Sequence, residues 1–91
     1  MKRFVIERNL PGAENLSTEE LQEISQAWCE ASNKLGKADI WVQSFIGRDK
    51  IYCLHFADDE EIIREHARIA KFPCNIISEI KIMIDPATSN P

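Results

Sequence analysis

Glycine is scarce in this 91-residue chain, which has only Gly12, Gly36 and Gly47, each standing alone in a turn-like setting. A loop that wraps backbone amides around phosphates needs clustered glycines, so nucleotide binding of that kind is excluded. Cysteine is equally sparse. Cys29, Cys53 and Cys74 are odd in number and widely spaced, with no C-x-x-C pair, a pattern that argues against a disulfide scaffold and for reduced, mostly buried thiols. Basic charge is also lacking, since 11 Lys and Arg face 15 Asp and Glu for a net charge of -4. No global field exists to hold nucleic acid or an anionic bilayer. No apolar run approaches the ~20 residues that span a membrane. The opening Met1-Lys2-Arg3-Phe4-Val5-Ile6-Glu7-Arg8 returns to charge too soon for a secretory signal. The chain is therefore expected to be cytoplasmic. Neither a G-x-S-x-G elbow nor an H-E-x-x-H helix occurs, so classical hydrolase chemistry has no basis here.

What is present describes one globular domain. Apolar residues make up 44% and charged residues 29% of the chain, and a chain this short supports a single core. The domain is expected over 1–86, with 87–91 a flexible tail. Phe4, Val5 and Ile6 mark a first strand over about 2–8, closed by the turn signal Asn9-Leu10-Pro11-Gly12. Ser17-Thr18-Glu19-Glu20 fits a capping box, and Leu21, Ile24, Trp28, Ala31 and Leu35 form one stripe of a helix over about 17–35. Gly36 provides a left-handed exit.

Residues 39–46 alternate as a second strand, with Ile40, Val42, Ser44 and Ile46 on one side and Trp41, Gln43 and Phe45 on the other. Gly47-Arg48-Asp49-Lys50 turns the chain into a third strand, Ile51–Phe56, giving an antiparallel hairpin. A second helix over about 59–70 follows, with Asp58 as cap and Glu61 completing the box, and with Ile62, Ile63, Ala67 and Ala70 inward. Capping accounts for the acidic run Asp58–Glu61 better than a cation site does. Phe72-Pro73 stops the helix, and Ile77–Asp85 reads as the last strand. The order βαββαβ predicts an α+β, ferredoxin-like plan: a four-stranded antiparallel sheet with two helices on one face. Because the second and third strands carry apolar residues on both faces, the helix-free surface or an edge strand is expected to pair two copies into a homodimer.

The residues also resemble a family. Trp41-Val42-Gln43-Ser44-Phe45, Lys50-Ile51-Tyr52-Cys53, Arg64-Glu65-His66-Ala67, Phe72-Pro73 and Ile84-Asp85-Pro86 together resemble a group of small bacterial ferredoxin-like proteins, some known as nickel-binding or nickel-responsive. The likeness covers nearly the whole chain, and it is the ordered set that is specific, not any one motif. It implies a transition-metal site, carried over to His66 first and Cys53 second. One departure is Lys71 before Phe72-Pro73, where relatives often have glycine; a side chain at a helix exit costs about 1 kcal/mol.

From the residues themselves, His66 borders the apolar stripe of the second helix, and its ring can reach the sheet. Cys53 and His55 stand two apart on one strand, so they leave the same face with Cβ atoms about 6.5–7 Å apart, a separation two ligands of one ion can share. Thiolate and imidazole suit nickel, zinc or copper better than magnesium or calcium. Spacing alone leaves the relation of His66 to that pair open. Trp28 and Trp41 read as core or interface anchors. The expectation is a non-enzymatic, nickel-binding homodimer, for storage or sensing, with His66, Cys53 and His55 at the metal and no catalytic residues. The alternative is a small dimeric α+β barrel enzyme acting on a small organic ligand in an apolar pocket, with His55, His66 and Asp49 as its polar groups.

Overall fold

The computed structural model describes all 91 residues. Its elements are β1 (Lys2–Asn9), α1 (Thr18–Lys34), β2 (Asp39–Gly47), β3 (Lys50–Ala57), α2 (Glu60–Ala70) and β4 (Ile76–Ile80), with short 3-10 turns at Ala13–Asn15 and Pro86–Ser89. The strands form one sheet in the order β2-β3-β1-β4 with every pair antiparallel. This is the βαββαβ ferredoxin-like arrangement. No helix is long and apolar enough to cross a membrane.

Helix boundaries follow local chemistry. Ser17 accepts from the Glu20 amide while Glu20 reaches back to the Ser17 amide, a closed capping box, and that second bond holds the Glu20 carboxyl below its ordinary value. Gly36 leaves α1 with φ 62°. At α2 the cap is Asp59, not Asp58: the Asp59 carboxylate takes the Ile62 amide at 3.0 Å, whereas Asp58 is exposed near the chain's amino terminus. Glu61 is spent on an ion pair with Arg68. Lys71 ends α2 in the left-handed region at φ 59°, so the helix stops one residue before Phe72-Pro73.

Strand register sorts the side chains. Toward the helices, rows run Trp41–His55–Phe4–Glu79, then Ser44–Cys53–Ile6–Ile77, then Ile46–Ile51–Arg8. The buried core sits there, with Phe4, Ile6, Trp28, Ile51, Cys53, Ala57 and Ile63 packed together. The open face carries Ile40–Phe56–Arg3–Ile80, Gln43–Leu54–Val5–Ser78 and Phe45–Tyr52–Glu7–Ile76. Apolar side chains therefore do line both surfaces.

Two details depart from simple alternation. Between Trp41 and Gln43 the pairing skips Val42, a β-bulge. Trp41 and Ser44 thereby share the helix side, where the Trp41 indole N–H donates to the Ser44 hydroxyl at 2.8 Å, and Asp39 joins them. The last strand, expected to reach Asp85, ends at Ile80. Ile80 lies opposite Arg3, so β1 has almost no backbone left to pair with residues 81–84.

Candidate metal centre

The site assembles from three elements. Asp39 is the first residue of β2, His55 faces the helices from the middle of β3, and His66 faces the sheet from α2. All three are 0% exposed. A ligand atom from each lies within 4.8 Å of the others, and the two imidazoles meet edge to face with centroids 5.2 Å apart. His66 thus converges with His55.

Hydrogen bonds fix which ring nitrogens are free. His66 Nε2 lies 2.9 Å from the Trp28 carbonyl oxygen, which can only accept, so Nε2 carries the hydrogen and Nδ1 keeps its lone pair. His55 Nδ1 lies 2.5 Å from Asp39 Oδ1, so Nδ1 donates and Nε2 is left over. His66 Nδ1, His55 Nε2 and Asp39 Oδ2 are all buried without a partner. Buried polar atoms are rarely orphaned, and each of these three neighbouring residues carries one. Neutral, the rings offer two lone pairs beside a carboxylate oxygen, a set a cation satisfies.

Electrostatics separates the two rings. Burial disfavours the charged form of His55, but the hydrogen bond to Asp39, the nearby Cys53 sulfur and their negative charge outweigh it, raising its pKa above the usual imidazole value. Burial also dominates at His66, with the nearby positive groups adding to it, and there it prevails over the Asp39 charge and the Trp28 carbonyl, so the pKa falls. The two rings are pushed in opposite directions, His66 toward the neutral form in which a ring nitrogen can bind a metal and His55 toward the protonated form, which a metal would have to deprotonate.

The donor set fits a first-row divalent ion. Two imidazoles and a carboxylate suit nickel, zinc or copper, and because Asp39 holds His55 Nδ1, an ion would take His55 through Nε2 with Asp39 as the orienting carboxylate, or enter between Asp39 and His55 once that contact opens. His55, oriented by a carboxylate through its other nitrogen, has the arrangement metal-bound histidines commonly show.

Cys53 lies beside His55, outside the group of three. Its sulfur is held by the Arg8 Nε at 3.3 Å and the Ser44 hydroxyl at 3.0 Å. Because Ser44 accepts from Trp41, its hydroxyl hydrogen is free to point at the sulfur. Burial raises the Cys53 pKa, but His55, Arg8 and Ser44 together bring it below the ordinary thiol value. Arg8 is itself 0% exposed, lying over the Trp28 ring at 4.9 Å and donating to the Pro73 carbonyl at 3.0 Å. All three cysteines are free thiols. Asp49, the acid of the enzyme alternative, is far from this group: it sits at the β2–β3 turn with φ 57° and accepts from the Gly12 amide. Asp39 was not legible as a site residue. The one trace of it is that β2 carries apolar residues at both parities, as a bulged strand does.

The family model described as nickel responsive protein SCO4226-like matches residues 4–80. The crystal structure of SCO4226 from Streptomyces coelicolor A3(2) superposes with a TM-score of 0.75 at 18% identity, covering 90% of this chain and 99% of that one. At that identity the likeness is one of fold. No curated protein sequence gives a significant match.

Proposed function

We propose a nickel-binding function, starting from the premise that this chain belongs to the SCO4226-like family of nickel responsive proteins. His55 and His66 hold the ion with Asp39 orienting His55, and the observation that carries this is the unpartnered, fully buried polar atom on each of the three residues. Bound nickel supplies a positive charge that ties a strand end, a mid-strand residue and a helix together. Cys53, with its sulfur already stabilised by Arg8 and Ser44, stands beside His55 as a fourth, softer donor. With no basic recognition helix to read DNA, the role is storage or sensing, not direct gene regulation, and the protein acts as a homodimer through its open sheet face.

The test is calorimetric titration of the purified, tag-free protein with nickel sulfate. Wild type is expected to bind one ion per chain at micromolar or better affinity. His55→Ala and His66→Ala each weaken binding at least tenfold, and Cys53→Ala weakens it less. Binding that ignores both histidine changes removes this reading, as does the absence of binding.

A further inference from the structure

We propose that the cleft between the second half of α1 and the start of β2 is the port by which the metal ion reaches its site, with the Cys29 thiol as its first ligand. This rests on the metal-binding reading of Asp39, His55 and His66.

Those three residues have no exposed surface, so an ion arriving from water needs a path, and of the three only Asp39 borders a cavity. That cleft has a volume of about 270 Å³, and its walls include Cys29, Ser32, Asp39, Ile40 and Trp41. An ion with six waters needs roughly 180 Å³ at about 30 Å³ per water. It fits. Two atoms on the lining residues, Ser32 Oγ and Asp39 Oδ2, are buried and lack hydrogen-bond partners, which suits groups that replace water on an ion being stripped of its shell. Cys29 is exposed and supplies a soft sulfur ligand at the outer end. The second cavity touches none of the three site residues and so gives an ion no way in to them. Lys37 is the one cation on the first cleft, and it is exposed at the rim.

The experiment plugs the cleft and reads rates. In a Cys74→Ser background, with Cys53 shielded in the core, Cys29 is converted to a mixed disulfide with a bulky methanethiosulfonate reagent. Stopped-flow tryptophan fluorescence then follows nickel sulfate uptake, and release into excess chelator. The plug is expected to slow association and release by at least tenfold each, leaving affinity within threefold, with both rates restored by reductant. Cys29→Ser without a plug slows association about threefold. Unchanged rates, or a changed affinity without matching changes in both rates, overturn the port while the ligand set stands on the histidine variants. If the unmodified protein fails to bind nickel, or binding ignores His55→Ala and His66→Ala, the ligand set falls and the port falls with it.

Discussion

At the level of single residues, the proposed metal site turns on one proton. His55 is raised by its bond to Asp39 and by the nearby Cys53 sulfur against the opposing effect of burial, whereas His66 is lowered by burial. Below the raised value His55 is protonated in the metal-free protein, and Nε2 must lose its hydrogen before it can coordinate. Nickel affinity is therefore expected to rise with pH through the range above 6.5, approaching tenfold per pH unit, and to level off once His55 is neutral. His66, neutral already, adds no proton in that range. Calorimetry at pH 6.5 in buffers of different ionisation enthalpy is expected to show more than half a proton released per ion, and no release refutes the assignment. Arg8 presents a separate question, whether the core needs its charge or its bulk. Arg8→Ala is expected to cost about 3 kcal/mol, chiefly as a cavity over Trp28. Arg8→Met, which fills the same channel and leaves Cys53 a neutral thiol, should recover at least half of that in urea denaturation. Equal losses for the two would show that the hydrogen bonds to Cys53 and Pro73, not packing, hold this part of the core.

At the level of elements, β2 determines whether the site exists. Val42 is the unpaired residue of the bulge, so deleting it leaves Trp41 opposite His55 and Gln43 opposite Leu54, and every face is kept. Deleting Ile40 instead moves Asp39 to the row of Phe56, on the open surface. The Val42 deletion is expected to bind nickel within threefold of wild type and the Ile40 deletion at least a hundredfold more weakly, as read by equilibrium dialysis on samples whose circular dichroism matches wild type. The end of α2 carries a smaller prediction: Lys71 stands at φ 59°, and Lys71→Gly should add about 1 kcal/mol. These elements also mark how far the sequence could be read. Ser17 and Glu20, the stripe around Trp28 and the Gly47–Lys50 turn act within a few residues of themselves, so periodicity and capping chemistry disclosed the βαββαβ order. His66 and His55 were recognisable as candidates because each lies on a face that must be buried. Asp39 was hidden because a bulge is a two-strand property, set by pairing with β3 and absent from the spacing within β2. The early end of β4 was hidden likewise, since it depends on where β1 runs out.

At the level of the whole molecule, too little surface is covered. A monomer of this size is expected to expose about 5,400 Å², yet the chain exposes 6073 Å² and buries only 14 of its 91 residues. Part of the unprotected area is the Ile82–Ile84 segment beyond β4; another part is the open sheet face, where Ile40, Phe45, Tyr52 and Ile76 are 42%, 59%, 38% and 49% exposed and Phe56, Leu54, Val5 and Ile80 lie beside them. Apolar patches of this extent mark interfaces, and the symmetric choice is a second copy of the same face. Because Asp39, His55 and His66 lie on the opposite surface of the sheet, pairing and metal binding should separate cleanly. Light scattering at 50 μM, on the order of a typical working concentration well above a micromolar dissociation constant, is expected to give a dimer for wild type. Phe45→Asp combined with Tyr52→Asp, which sets two like charges opposite each other in adjacent strands, is expected to give a monomer whose nickel affinity stays within threefold. A wild-type monomer would mean that the open face meets water or a different partner. A monomeric double variant that loses nickel would mean that the two copies share the site across the sheet.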